Sequence, residues 1–308
     1  MAGAGIPVRE VGILGVGTVG SSLALYLPQR GYQVKLWTRR DATAVREELL
    51  DVAHDLLQRE LLLPEMGPCI RQHLWVTDEL AQVCQGEAVV EAVAENIAAK
   101  REVLARASAL ATRDALIVST TSSLRVSDLA PSVVSPERFL GMHFFIPVAK
   151  MPLVEVAPHM GTASQYIKRA LSFARSLDKT PLLVKDVPGF IVNRLVLAEC
   201  NRAAALLKQG IAEVEEIDLA LRLGASRALG PLELGDNIGW DVVLAALENL
   251  FQATQDEAFR PCPLIRALLA QGRRGRKVGE GFYIYDAPRG RKLRVHPAHQ
   301  SQQGGQNE

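Results

Sequence analysis

The sequence predicts an α/β domain followed by a smaller all-α domain. Three observations carry this. Short apolar runs alternate with helical patterns from Val11 to Lys185. A glycine-rich turn, Gly15-Val16-Gly17-Thr18-Val19-Gly20, joins the first apolar run to the first helical pattern. After residue 186 no strand alternation is convincing, and the composition shifts to Leu- and Ala-rich helical stretches punctuated by Gly and Pro. The expected organisation is a nucleotide-binding domain over 1–186, an all-helical domain over 187–288 and a disordered tail over 289–308.

Val11-Gly12-Ile13-Leu14 reads as a strand, 21–29 as a helix ended by Gly31, and 33–37 as a second strand. Strand, GxGxxG, helix and strand within about thirty residues is the context of a Rossmann-type dinucleotide-binding fingerprint. Gly15 permits the tight turn, Gly17 lets a pyrophosphate reach the backbone, and Gly20 lets the helix pack on the strand. The helix N-terminus then faces the phosphates. The second strand runs into Trp37-Thr38-Arg39-Arg40, with no carboxylate until Asp41. NAD sites tend to carry an acid there for the ribose 2′-hydroxyl, whereas guanidinium groups suit a 2′-phosphate. The reading is therefore NAD(P), with NADP(H) favoured over NAD(H). The alternative keeps Arg39 and Arg40 as solvated charges and gives the ribose to Asp41.

Residues 41–66 show helical spacing, closed by Pro64 and Pro68, with strands expected over 73–77 and 87–93. Glu95-Asn96 follows the latter, a helix over 97–112 carries Lys100, and the strand 115–119 ends in Ser119-Thr120-Thr121-Ser122-Ser123. That hydroxyl cluster is either a polar turn and cap or a binder of substrate oxygen. A helix over 162–177 and a strand over 182–185 complete the first domain. Helices are expected from Pro188 to about Lys208 and over 213–223, 239–254 and 262–271, with Gly230-Pro231 as a break.

The stretch 141–155 carries the chemistry. His143 follows an apolar run, and Glu155 stands inside Leu153-Val154-Glu155-Val156, otherwise a buried strand. A lone carboxylate there is costly unless paired. A histidine on the neighbouring strand would be held by it through one ring nitrogen and could move a proton with the other. The other reading is a structural histidine and an edge-strand glutamate.

The 308 residues are 48% hydrophobic and 22% charged with a net charge of +1, which suits two globular cores and argues against a general nucleic-acid or membrane-surface binder. The four cysteines (Cys69, Cys84, Cys200, Cys262) form no CxxC or metal-ligand spacing, so buried thiols in a reducing cytoplasm are expected, with no metal. Val11 to Leu27 lacks a basic leader and is broken by glycines, so it reads as structure and not as a targeting segment. His54, His73 and His159 read as surface or loop residues, His296 and His299 as tail.

Taken in order, Gly15–Gly20, Glu91-Ala92-Val93-Ala94-Glu95-Asn96, Thr121-Ser122-Ser123-Leu124, Gly141-Met142-His143-Phe144-Phe145, Leu153-Val154-Glu155-Val156, Lys185-Asp186-Val187-Pro188-Gly189-Phe190-Ile191-Val192-Asn193-Arg194, Gly230-Pro231-Leu232-Glu233-Leu234 and Gly279-Glu280-Gly281-Phe282-Tyr283 resemble the 3-hydroxyacyl-CoA dehydrogenase family, in its 3-hydroxybutyryl-CoA dehydrogenase-like form. The resemblance spans about 8–286. It implies His143 as general base, Glu155 as its orienter, Ser122 and Asn193 as binders of substrate oxygens, and Glu95, Lys100 and Lys277 as cofactor contacts. It also implies an acyl-CoA substrate and a homodimer through the helical domain. Three departures stand out: Ile146 replaces a cofactor-contacting asparagine, Thr38 replaces an aspartate, and the CoA-binding region 53–63 is leucine-rich with Arg59 as its firm cation. These leave open a substrate on an acyl-carrier protein, a free hydroxy acid, or a nucleotide-binding protein without catalysis.

Overall fold

The computed structural model describes residues 9–58 and 65–299. The chain divides into two compact units, Met1–Phe190 and Ile191–Glu308. Among the described residues no helix is long and apolar enough to cross a membrane.

The first unit is built on strands β1 (Glu10–Leu14), β2 (Gln33–Trp37), β3 (Leu74–Thr77), β4 (Ala88–Glu91), β5 (Leu116–Ser119), β6 (Phe139–Phe144), β7 (Leu153–Pro158) and β8 (Thr180–Leu183). They form one eight-stranded sheet in the order β3-β2-β1-β4-β5-β6-β7-β8. Pairing is parallel from β3 through β6; β7 runs antiparallel to β6, and β8 runs parallel to β7. The middle strands β4, β5 and β6 are buried throughout, as expected of strands covered on both faces. Apolar residues of the sheet form two buried clusters, one with Leu23, Leu49 and Phe173, the other with Leu104, Leu129 and Phe190. The strand order reverses between β1 and β4, and this is where an α/β sheet opens a crevice at its carboxyl ends.

The expected elements shift in detail. The first helix is Thr18–Tyr26, beginning inside the glycine motif, because extended Gly17 serves as its N-cap. Pro68 does not end the excursion after β2; it lies in the first turn of a second helix, Met66–His73, where no backbone donor is needed. Pro64 and Arg59 lie outside the described residues.

In the second unit the helices are Val192–Lys208, Val214–Gly224, Pro231–Ile238, Trp240–Thr254 and Pro263–Ala270. Two expectations need correction. Gly230-Pro231 is not a bare break: Pro231 is the first residue of a helix, where its fixed φ is suited and its missing donor is harmless. Nor is this unit all-helical with a structureless tail from 289. Strand β9 (Tyr283–Tyr285) pairs antiparallel with β10 (Lys292–Val295), and a helical turn, Pro297–His299, follows. His299 packs its ring 4.8 Å from Phe282. Residues 300–308 lie outside the described residues.

Buried carboxylates explain both corrections. Asp218 (3% exposed) accepts from the backbone of Leu232 at 2.7 Å and Glu233 at 2.9 Å, so it caps the proline-started helix from a distance in sequence. Gly230 has to be small, because a Cβ there would lie 2.2 Å from the Asp218 side chain. Asp236 (0% exposed) accepts from Phe282 N, Tyr283 N, Trp240 Nε1 and Tyr285 Oη at 2.7–3.0 Å. One carboxylate thereby ties a helix to the hairpin. Asp236→Ala should lower the unfolding free energy by at least about 3 kcal/mol in denaturant titrations, since it leaves several buried donors unsatisfied. A loss under about 1 kcal/mol would show that the hairpin does not depend on this hub.

Candidate active site

The glycine-rich turn is shaped for a phosphate chain. Gly15 has φ +108°, and a Cβ on it would lie 2.9 Å from the Ala92 carbonyl. A Cβ on Gly20 would lie 2.0 Å from the Gly15 carbonyl. These two glycines are required by the protein itself. Gly17 is not: a Cβ there would meet only Ala92 O, at an ordinary 3.6 Å. Its missing side chain instead leaves the turn open to a ligand. No side chain caps the helix Thr18–Tyr26, and the first backbone donors of a helix have no partner within it. This arrangement fits a dinucleotide pyrophosphate.

At the end of β2, Thr38 is 2% exposed and its Oγ1 accepts from Arg40 N at 3.0 Å. The Arg40 guanidinium is paired with Glu48. Asp41 accepts from Ala44 N at 2.7 Å and so begins the helix Ala42–Gln58. Arg39 is exposed, and among the described residues it has no ion-pair partner. Of the two arginines, only Arg39 presents an unneutralised guanidinium.

A polar network runs across the carboxyl ends of β4 and β5. Glu91, to which the sequence assigned no role, is 0% exposed and accepts from Lys100 Nζ at 2.8 Å, Ser119 Oγ at 2.6 Å and Val93 N at 2.8 Å. Like Glu155, Glu91 is a lone carboxylate in an otherwise apolar buried strand. Lys100, expected to touch a cofactor, is 1% exposed, and its ammonium is bound to Glu91, the Val93 carbonyl and, at 3.3 Å, Glu95. Glu95 Oε1 accepts from Thr121 Oγ1 (2.7 Å), Ser122 N and Ser123 N (2.9 Å each) and Ser123 Oγ (3.0 Å). Burial alone would raise the Glu95 pKa. The Lys100 charge, the Thr121 hydroxyl and the two serine amides outweigh it and hold the group at about 2. The hydroxyl cluster is thus a turn clamped by a carboxylate, with Ser122 at its tip half-buried.

The histidine and glutamate meet as the sequence suggested. His143 on β6 lies directly opposite Glu155 on β7, and in an antiparallel pair such residues share a face. His143 Nδ1 lies 2.8 Å from Glu155 Oε2, with the two residues 7% and 0% exposed. In a neutral imidazole whose Nδ1 faces a carboxylate, Nδ1 is the donor and Nε2 the acceptor. Phe145 and Phe190 stand 4.6 and 5.8 Å from the imidazole, ring centroid to centroid. Just beyond β6, Ile146 is 42% exposed and offers no polar atom from its side chain. Asn193 and Lys277 belong to the second unit. Asn193 sits in the first turn of the helix Val192–Lys208, and Lys277 Nζ pairs with Asp241 at 2.5 Å.

The buried Glu91–Lys100 pair allows a direct stability test. Lys100→Met should cost about 3–5 kcal/mol, because it strands a carboxylate in the sheet. Combining it with Glu91→Gln should restore most of that loss in the same denaturant titration. Additive losses would show that the two groups do not depend on each other.

Comparison with known proteins agrees with this geometry. The family model described as "3-hydroxyacyl-CoA dehydrogenase, NAD binding domain" matches residues 10–187, and the model of the family's C-terminal domain matches 189–285. A probable 3-hydroxybutyryl-CoA dehydrogenase of Deinococcus radiodurans is 33% identical over 283 residues, covering 90% of this chain and 100% of that protein. The crystal structure of M. tuberculosis FadB2 superposes with a TM-score of 0.87 at 30% identity, covering 91% of this chain and 100% of that one. The (S)-3-hydroxybutyryl-CoA dehydrogenase of Ralstonia eutropha gives 0.84 at 32% identity, covering 91% and 99%. The first unit is a nicotinamide-dinucleotide-binding domain, and the chain belongs to the 3-hydroxyacyl-CoA dehydrogenase family.

Proposed function

We propose that this protein catalyses reversible hydride transfer between NAD(P)(H) and C3 of a 3-hydroxyacyl- or 3-oxoacyl-CoA of the 3-hydroxybutyryl-CoA type, with His143 as general base. The observation that carries the reading is the buried His143–Glu155 pair at the carboxyl end of β6, in the same sheet as the open glycine turn. The nicotinamide supplies the hydride acceptor, or in reverse the donor. The chain's own residues handle the proton. In the oxidative direction Nε2 of neutral His143 takes the proton of the substrate 3-hydroxyl. Glu155 keeps the imidazole in the required tautomer and stabilises the imidazolium that forms. In the reductive direction the imidazolium returns that proton to the oxygen on C3. Ser122 and Asn193 hold substrate oxygens, a task of orientation more than of proton transfer.

Thr38 at the end of β2 and the unneutralised Arg39 support NADP(H) as the preferred cofactor. Exposed Leu195, Leu219 and Leu223 support pairing of two copies through the second unit, and a monomeric mass by light scattering would count against this.

The test of the reading is loss of reduced-nicotinamide absorbance with acetoacetyl-CoA, run with NADPH and with NADH. Turnover is expected, faster at low cofactor with NADPH. Arg39→Ala should lower kcat/KM for NADPH by roughly tenfold or more while sparing NADH, as expected when one charge-assisted bond is lost. Equal use of both cofactors by wild type and variant would contradict the role of Arg39. No turnover with either, in folded protein that binds the nucleotide, would overturn the CoA-thioester reading. Glu155→Gln should depress kcat and leave cofactor affinity in place; equal loss of both would mark Glu155 as merely structural.

A further inference from the structure

The turn that carries Ser122 is held at two ends. Glu95 grips its first half through the four donors of residues 121–123. Its far end is held by a carboxylate from a distant part of the sheet. Asp186 Oδ1 accepts from Val126 N at 2.6 Å, and Oδ2 accepts from Ser127 N at 2.7 Å. Asp186 follows β8, and in the sheet β6 and β7 lie between β8 and β5, the strand that leads into the serine turn. The segment after β8 is anchored again by Phe190. That residue is 2% exposed, shares one buried apolar cluster with Val126, Leu129 and Val184, and sets its ring 5.8 Å from the His143 imidazole. Its φ of +44° is a conformation that a bulky side chain adopts only when its surroundings impose it. One short segment therefore grips the serine turn with Asp186 and backs His143 with Phe190.

We propose that Asp186 is a positioning residue for the dehydrogenase reaction: by bonding two backbone amides beyond Ser122, it fixes the Ser122 hydroxyl relative to the His143 imidazole. This deepens the function proposed above and rests on it. Asp186 touches neither substrate nor cofactor. A small misplacement of an orienting group can cost about 10²-fold in rate, so its loss should appear in turnover rather than in cofactor binding.

The experiment is a double-mutant cycle with acetoacetyl-CoA. Asp186→Ala should lower kcat/KM by roughly tenfold to a hundredfold and leave the dissociation constant of the nicotinamide nucleotide within about twofold of wild type. In a Ser122→Ala background the same change should cost little more, because the group it positions is gone. Asp186→Asn, which keeps one acceptor and the side-chain shape, should fall between wild type and Asp186→Ala, and it serves as the test variant if the alanine protein does not fold. Equal losses in both backgrounds, a parallel loss of nucleotide affinity, or wild-type kcat/KM in either Asp186 variant would overturn the positioning role. Those outcomes with an active wild type leave the dehydrogenase reading standing. A wild type without turnover would overturn both.

Discussion

A carboxylate inside a β-sheet is tolerated only when something there answers its charge. The desolvation penalty is several kcal/mol, and a missing partner converts it into lost stability. The central sheet contains two such groups, Glu91 on β4 and Glu155 on β7, both 0% exposed. Their partners differ in kind. Glu91 has Lys100, and with Ser119 the pair locks the ends of β4 and β5 into one network. Glu155 has His143, whose imidazole can take up and return a proton while the carboxylate keeps hold of it. The first pair serves as a brace; the second is the acid–base unit of the proposed reaction. The same physical demand produces both, and the chemistry follows from which base answers it.

The sheet sets where these pairs stand. The strand order reverses between β1 and β4, so the crevice opens where the glycine turn leaves β1. Glu91 ends β4, the serine turn follows β5, and His143 lies near the end of β6, on successive parallel strands. The second unit uses buried carboxylates differently. Asp218 and Asp236 accept backbone amides, a phenol each and one indole, and they join helices to a hairpin whose Phe282, Tyr283 and Tyr285 share a buried apolar cluster with Leu232 and Trp240. There the acids organise structure alone.

Much of this was legible in the residues. The glycine turn and its flanking strands follow from local sterics, and local sterics are written in adjacent residues. His143 and Glu155 could be paired because two apolar strands with a short connection must lie side by side. What escaped was non-local. The Lys100–Glu91 pair could not be read from the sequence because Glu91 ends another strand. Asp186 and Asp218 act on amides far along the chain, and no periodicity encodes that. The β9–β10 hairpin was missed because three residues are too short for alternation to register, and the carboxylate that holds it, Asp236, lies on a helix far back in the chain. The helix after Gly230 was missed because Gly-Pro reads equally as a break and as a helix start.

The central claim is that the imidazole answering Glu155 is the base of the reaction. The most direct measurement is kcat of His143→Gln with acetoacetyl-CoA and the preferred reduced cofactor, in protein shown to be folded and to bind the nucleotide. The account predicts a fall of about 10²–10⁴-fold, the range for losing a positioned acid–base group. Wild-type kcat in that variant would contradict it, and would reduce the buried pair to another brace in the sheet.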